Sequence, residues 1–366
     1  MTRPYLHYAW EISLYSGKTR AYLRYKQIPF VEKNIHLWTM PNIQKKVGAQ
    51  VMPVLVTPDG EWLQDTSHII DVLEQRFPDA PVIPSTPRQK MAAYLIEAWA
   101  DEYWLPSAMH FRWSFPENFR DCFQPEVGDN LLPFFPRFIK NRAVTRVATL
   151  LRSYLPSVGV VSGQHDSIER WTHEQLDALD KHFSAHDYLL GSKPCIGDFG
   201  LIGPLYAHLG RDPYPARELI GKRPNLQAWV QRMMQPQHPK AGSFLADDAI
   251  PDTLLPLFKS VFADFWPQLE LTLAEMQRTQ AELKPGRGWA RMLDMINVPM
   301  GDTTLRIGAR PFSVWMAQRA IDIFRALPSA EQTSVQTWLS SLGAEHAMAL
   351  AIQPRLRQIA LRVAPE

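Results

Sequence analysis

The stretch AQVMPVLVTPDGEWLQDTSHIIDVLEQRFP, residues 49–78, carries the clearest fold signals of the chain. Residues 54–56 and 61–63 are mostly strand formers, and the turn residues Pro58-Asp59-Gly60 lie between them. Three helix-capping side chains, Asp65-Thr66-Ser67, then precede apolar residues at helical spacing. The stretch therefore predicts a β-hairpin followed by a capped helix.

The residues before this stretch predict a small α/β domain. Residues 4–10 are rich in aromatic residues and predict a first strand, and residues 28–35 predict a second. Residues 16–27 predict a helix capped by Ser16, and residues 40–47 a weaker helix. Together with the hairpin and capped helix, the order is βαβαββα within residues 1–80, which is typical of a thioredoxin-like domain.

The remainder of the chain predicts helices. The proline-rich residues 81–88 predict a linker, and residues 89–240 an all-helical domain whose first long helix is stopped or kinked at Pro106. Residues 250–366 predict a helical extension docked on that domain, and residues 355–362 within it a basic helical stripe.

Composition restricts the class of protein. The 366 residues carry a net charge of +2, which gives no broad electrostatic footprint for nucleic acid. The only cysteines, Cys122 and Cys195, have no metal-type spacing and cannot form a disulfide framework, so we expect a reducing, cytoplasmic location. The N-terminus lacks a secretory apolar region, and no apolar run reaches the ~20 residues that span a bilayer.

Four motifs together resemble the cytosolic glutathione S-transferases over about residues 4–236. They are VMPVL at 51–55, DTSHIIDVLE at 65–74, YLLGSKPCIGDFGLIGPLYAHL at 188–209 and RPNLQAWVQRM at 223–233. The resemblance implies glutathione as co-substrate and a homodimer. It also implies a structural role for Asp198, at the fourth position of a helix-capping box that begins at Cys195, where the cap should be weak.

The resemblance places the glutathione site in the opening stretch. It implies a cis peptide bond before Pro53 and pairing of the Met52 main chain with the cysteinyl part of glutathione. It also implies that Asp65 and Thr66, at the start of the next helix, hold the γ-glutamyl end. The free N–H groups and dipole of a helix N-terminus favour a carboxylate there.

The chemistry of this family requires a glutathione thiolate near neutral pH. Lowering a thiol pKa from about 8.5 by ~2 units takes nearly 3 kcal/mol. A hydroxyl hydrogen bond to an anion supplies ~1.5–3 kcal/mol and a helix N-terminus ~0.3–1 kcal/mol, so no metal is predicted. Three hydroxyls remain as candidates. Ser13 lies in Ser-Leu-Tyr, which is similar to the Ser-Pro-aromatic pattern of serine-type members of the family. Tyr8 is similar to the first-strand tyrosine of tyrosine-type members. Ser16 either holds the thiolate or only caps the helix.

The electrophile pocket is predicted to have aromatic walls. Trp38 comes from the α/β domain, and Tyr103, Trp104 and His110 from the first long helix. The alternative for each is a place in the core. The predicted function is transfer of glutathione to a hydrophobic electrophile. The alternatives are a catalytically idle binding or scaffold protein, or another glutathione-dependent reaction such as ether cleavage, dehalogenation or isomerisation.

Overall fold

The computed structural model of the protein describes residues 3–236, 241–284 and 286–366. The chain divides into two compact units. Unit 1 takes its described residues from 1–82, 108–155 and 199–242, and unit 2 takes them from 83–107, 156–198 and 243–366. Residues 237–240, which end the predicted helical domain, lie outside the described residues. The division into domains at residues 80, 88 and 240 stays a prediction.

The first elements of unit 1 form the predicted α/β arrangement. They are β1 (Tyr5–Tyr8), α1 (Leu14–Tyr25), β2 (Phe30–Lys33), α2 (Met40–Val47), β3 (Val54–Val56), β4 (Trp62–Gln64) and α3 (Thr66–Arg76). The sheet order is β2-β1-β3-β4, with β2 parallel to β1 and β3 antiparallel to both β1 and β4. This thioredoxin-like topology confirms the predicted fold class.

The start of α1 differs from the prediction, because the helix begins at Leu14 and is capped by Ser13 rather than by Ser16. Ser13 has extended backbone angles, and its Oγ accepts a hydrogen bond from the Ser16 N–H at 3.3 Å. That is the geometry of an N-cap serine, whose oxygen satisfies a donor that the first helical turn leaves free. Ser16 lies one turn inside the helix.

Eight further α-helices follow among the described residues up to 236, in the region predicted to be all-helical. They are α4 (Pro87–Tyr103), α5 (Leu105–Trp113), α6 (Gln124–Leu131), α7 (Arg137–Ser153), α8 (His165–Phe183), α9 (Ile196–Ala207), the single turn α10 (Pro213–Pro215) and α11 (Pro224–Met234). The predicted break near Pro106 falls at Trp104, because a proline ring crowds the carbonyl four residues earlier. That carbonyl, of Glu102, accepts a hydrogen bond from the Arg310 side chain instead.

The start of α9 depends on the buried carboxylate of Asp198. It accepts hydrogen bonds from the Cys195 N–H at 2.9 Å and the Leu189 N–H at 3.1 Å. The carboxylate therefore bonds back to the main chain at the start of this helix, as the fourth residue of a capping box does, and also fastens the preceding loop.

The C-terminal part contains strands as well as helices. Its elements are α12 (Leu255–Ser260), α13 (Trp266–Thr279), β5 (Met295–Met300), β6 (Thr303–Gly308), α14 (Pro311–Ala326), α15 (Ser329–Ser341), β7 (Leu356–Ile359) and β8 (Arg362–Pro365). Both hairpins are antiparallel. Within unit 2, α14 and α15 pack on α4.

The prediction of a basic helix at residues 355–362 was wrong, because these residues form most of the β7–β8 hairpin. Leu356 and Val363 are buried whereas Arg357 and Arg362 are exposed, which is the alternation of a half-buried strand. The turn is made at Ala360, with φ +49°. The apolar–basic alternation of these residues has the period of two that a strand shows, not the period of a helix.

His182, on α8, is a buried neutral histidine of unit 2. Its Nε2 lies 3.2 Å from the Tyr188 carbonyl and its Nδ1 lies 2.7 Å from the Thr253 hydroxyl. A carbonyl can only accept, so Nε2 carries the proton and Nδ1 accepts from Thr253. Burial lowers the pKa of His182 to about 4. The two histidines His182 and His186 stack at 5.0 Å.

None of the helices among the described residues has the length and apolar character needed to cross a bilayer.

Candidate functional site

The strand register brings the predicted ligand-binding residues to one edge of the sheet. Tyr8, the last residue of β1, pairs with Val54, the first residue of β3. Val54 in turn pairs with Gln64, the last residue of β4. The segment before β3, the loop leading to α1 and the start of α3 therefore share this edge.

Met52 and Pro53 lie just before β3, and their main chain takes no part in the pairing of the strands. The Met52–Pro53 peptide bond is cis, as the family resemblance implied. Neither the N–H nor the C=O of Met52 makes a hydrogen bond within the described parts of the chain. An extended peptide can pair with such free main-chain groups as an added strand does.

Asp65 turns the chain from β4 into α3. Its backbone has φ +77°, and its carboxylate accepts the His68 N–H at 3.0 Å, which makes it the N-cap. Thr66 is the first residue of the helix and is almost fully buried. The first N–H groups of an α-helix have no carbonyl partner within the helix, and here the Asp65 carboxylate accepts that of His68.

Lys18 is a residue of this region that sequence analysis missed. It lies on α1 with its side chain fully buried, and its Nζ donates to the Ser67 hydroxyl at 3.1 Å. A buried ammonium needs polar partners, and here it adds positive charge at the start of α3. The available signal was the helical spacing of Leu14, Lys18 and Tyr22, in which a lysine interrupts the inward face of the helix.

The three candidate hydroxyls differ in their surroundings. Ser13 is half-buried, and its Oγ accepts from the Ser16 N–H, so its own O–H remains available to donate. The Ser16 hydroxyl is fully buried and has no hydrogen-bond partner among the residues described. Tyr8 is half-buried, and its ring stacks on Trp62 at 5.6 Å. Ser13 is thus the accessible hydroxyl at a helix N-terminus.

Arg112, on α5, fastens the loop that carries Ser13. Its buried guanidinium donates to the Ile12 carbonyl at 2.9 Å, to the Ala207 carbonyl at 2.7 Å and to both oxygens of Asp212 at 2.7 and 3.1 Å. Burial raises the pKa of Asp212 even though Arg112 opposes the shift. The residue before Ser13 is therefore held by a buried ion pair, which sequence reasoning could not foresee, since its members are 100 residues apart.

An apolar cluster lies next to this edge within unit 1. Trp113, Phe123 and Val144 are among its buried members, and Tyr8 and Met52 pack against it. One side of the candidate site is therefore apolar.

The predicted aromatic wall is dispersed. Trp38 is 51% exposed and stacks on Phe134 at 6.2 Å. Tyr103 and Trp104 are enclosed in an aromatic cluster of unit 2, where both contact Trp171. His110 is buried in unit 1, with Nδ1 at 2.9 Å from the Ser114 hydroxyl. The three buried side chains fill core in this structure, and their role in binding substrate stays a prediction.

Two segments of the chain match models of a single protein family. Residues 8–81 match the glutathione S-transferase N-terminal domain, and residues 164–236 match the glutathione S-transferase C-terminal domain. Both matched segments are domains of the glutathione S-transferase family. The resemblance of the chain's motifs to this family is confirmed, and the two domains support a glutathione-related transferase function.

Solved structures similar to this chain include bacterial proteins. A glutathione S-transferase from Rhodospirillum rubrum F11 is 15% identical with a TM-score of 0.42, over 68% of this chain and 96% of that one. One from Methylobacterium radiotolerans JCM 2831, in complex with glutathione sulfonate, is 19% identical with a TM-score of 0.40, over 68% and 100%. The β-etherase from Sphingobium sp. strain SYK-6 is 20% identical with a TM-score of 0.44, over 66% and 97%. None of the curated proteins compared with the chain matches it.

Proposed function

We propose that this protein binds glutathione along the Met52–Asp65 edge and activates its thiol with the Ser13 hydroxyl for attack on a hydrophobic electrophile. The observation that carries the proposal is the free main chain of Met52 beside two helix N-termini, those of α1 and α3. The match of residues 8–81 and 164–236 to the two glutathione S-transferase domains supports the choice of ligand.

The charges at the edge suit the two ends of the tripeptide. Met52 offers one N–H and one C=O to the cysteinyl main chain. The Asp65 carboxylate attracts the γ-glutamyl ammonium, and the first amides of α3 favour the adjacent carboxylate, with the Lys18 ammonium nearby. In this placement the sulfur lies toward the start of α1.

At that position the thiolate receives two stabilising interactions. The Ser13 O–H donates to sulfur, and the N-terminus of α1 favours negative charge. The thiol proton leaves to solvent, and the sulfur electron pair forms the bond to the electrophilic carbon. In a substitution a leaving group departs with its own electron pair. In an addition the carbon acceptor takes up a proton. The apolar cluster beside Tyr8 and Met52 favours a hydrophobic electrophile.

Titration calorimetry with glutathione tests the binding site. We expect the wild-type protein to bind glutathione. Asp65→Asn keeps an N-cap side chain but loses the charge, so it should bind glutathione about tenfold more weakly. This loss corresponds to about 1.4 kcal/mol, the contribution expected of a charge-assisted hydrogen bond. Asp59→Asn, in the exposed hairpin turn, is the matched control and should bind as the wild type does. Absence of binding at millimolar glutathione would refute the proposal.

A second candidate is a binding or scaffold protein without catalysis. The observation in its favour is that apolar side chains already pack against Tyr8 and Met52, which leaves less room for an electrophile. The two candidates separate in a conjugation assay over a panel of hydrophobic electrophiles. Binding of glutathione with no thiol consumed from any of them would favour the scaffold. The homodimer implied by the family is a further proposal, to be tested by sedimentation velocity.

A further inference from the structure

Two segments of unit 1 contain basic residues but no acidic ones. Residues 33–58 include Lys33, Lys45 and Lys46 and no aspartate or glutamate. Residues 130–155 include Arg137, Lys140, Arg142, Arg146 and Arg152, again with no acidic residue. The whole chain has 39 basic and 37 acidic residues, so this separation of charge is local.

The fold brings the two segments together. The Leu37 N–H donates to the Leu131 carbonyl at 3.1 Å, and His36 Nδ1 lies 2.7 Å from the Asn130 carbonyl. The Trp38 ring stacks on the Phe134 ring, with an interplanar angle of 13°. The loop before α2 and the loop before α7 therefore form one surface.

This surface exposes large apolar side chains. Phe134 is 86% exposed, Phe138 73% and Leu37 54%, next to the half-exposed Trp38. Clustered exposure of this kind marks interaction sites, whereas scattered single apolar residues on a surface are ordinary.

Two arginines on the same side of α7 continue the surface. Phe138, Arg142 and Arg146 follow at intervals of four residues, so they share one face of the helix, and all three are exposed. The neighbouring Arg137 and Lys140 are already paired with Asp129, at 3.0 and 2.7 Å. Arg142 and Arg146 have no ion-pair partner within the described ranges.

Arg152, further along α7, is also engaged, because its guanidinium lies over the Trp113 and Phe119 rings at 5.1 and 4.9 Å. The free cations of α7 are thus concentrated beside the exposed aromatic residues. We call Leu37, Trp38, Phe134, Phe138, Arg142 and Arg146 the aromatic–basic face.

We propose that the aromatic–basic face docks the protein peripherally on a bilayer that contains anionic phospholipid. An interfacial surface of this type buries aromatic and aliphatic side chains at the headgroup–acyl boundary while its arginines meet lipid phosphates. Tryptophan is favoured at that depth because its ring is amphipathic.

Two other occupants fit the same face less well. A second copy related by a twofold axis would set Arg142 and Arg146 of both chains against each other, with no acid on the face to offset them. A nucleic acid would use the arginines but would leave Leu37 and Phe138 without the hydrocarbon that an acyl layer provides. The bilayer satisfies both chemical components of the face.

Vesicle co-sedimentation of the full chain tests the proposal. The probes are phosphatidylcholine vesicles with and without phosphatidylglycerol. We expect binding only to the anionic vesicles, with loss of binding as salt increases. Arg142→Gln with Arg146→Gln should lower the partition coefficient about 30-fold, as two cations near a charged bilayer each contribute about 1 kcal/mol. Leu37→Ser with Phe138→Ser should weaken binding at all salt concentrations.

Matched control variants carry the same changes elsewhere. Arg291→Gln with Arg306→Gln removes two exposed cations of unit 2, and Leu255→Ser with Leu271→Ser removes two exposed apolar side chains. Both should partition as the wild type does.

Three outcomes would overturn the proposal. The first is equal partitioning of the wild type onto vesicles with and without phosphatidylglycerol. The second is an equal loss of binding in the control and test variants. The third is that vesicles are not bound, while a duplex DNA probe binds, or the protein self-associates in light scattering, in a way that depends on the aromatic–basic face. Retention of glutathione binding by every variant would show that a failure here is separate from the proposed catalytic function.

Discussion

Replacement of Ser13 by alanine removes both roles of one oxygen, the helix cap that the structure shows and the proposed hydrogen bond to the thiolate. Ser13 Oγ accepts the Ser16 N–H at 3.3 Å, so it caps α1, and its O–H is the proposed donor to the thiolate. Loss of an N-cap costs about 1 kcal/mol of folding free energy. Loss of a hydrogen bond to an anion costs ~1.5–3 kcal/mol, which corresponds to a rise of about 1–2 units in the thiol pKa.

Ser16→Ala is the matched control. The Ser16 hydroxyl is fully buried and makes no hydrogen bond with any described residue, so its removal loses no contact with a ligand. We expect the bound thiol pKa to stay unchanged and the free energy of unfolding to stay equal or rise slightly, because an unpaired buried hydroxyl is removed. Tyr8→Phe should likewise leave the thiol pKa unchanged.

The assay is a pH titration of the ultraviolet thiolate absorbance of bound glutathione, with urea denaturation of each variant in parallel. Ser13→Thr should restore both properties, and Ser13→Asp should restore the cap but raise the thiol pKa further, because it places a second anion beside sulfur. An unchanged thiol pKa in Ser13→Ala, or an equal rise in Ser16→Ala, would refute the assignment of Ser13.

Three further predictions concern stability. Arg112→Met should lower the free energy of unfolding by about 3–5 kcal/mol in urea denaturation, because it leaves the Asp212 carboxylate buried and unpaired, and Arg112→Met with Asp212→Leu should recover most of the loss. The pKa of His182 is lower in the folded than in the unfolded protein, so its contribution to stability is complete above about pH 6.5 and declines as pH falls toward about 4. His182→Gln should reduce that decline by up to about 3 kcal/mol in urea denaturation curves measured across this pH range. Gly191→Ala should cost about 2 kcal/mol or more in thermal or urea unfolding, since the residue has φ +142° and an added Cβ would lie 2.6 Å from the Ser243 carbonyl oxygen.

Each of these has a clear contrary result. A double variant no more stable than Arg112→Met alone would show that the buried pair is not the source of the loss. A His182→Gln protein with the same acid sensitivity as the wild type would show that this histidine does not titrate on unfolding. An unchanged melting temperature in Gly191→Ala would contradict the close approach of the two loops.

The amino-acid sequence by itself determined the βαβαββα order of residues 5–76 and the position of the candidate ligand-binding edge. Those features depend on signals that act over a few residues: β-formers at 54–56, a turn at 58–60 and the capping carboxylate of Asp65. Local backbone preferences are decided by neighbours in the chain, so they can be read without knowing the fold.

Only the tertiary structure decided which side chains are accessible. It enclosed Ser16, Tyr103 and Trp104, buried Lys18 beside the start of α3, and joined Arg112 to the loop before Ser13. It also turned the apparent basic helix at residues 355–362 into a hairpin. The physical reason is that burial, and the pairing of charges that burial requires, depends on segments distant in sequence, and a periodic pattern in one segment does not reveal which partner will cover it.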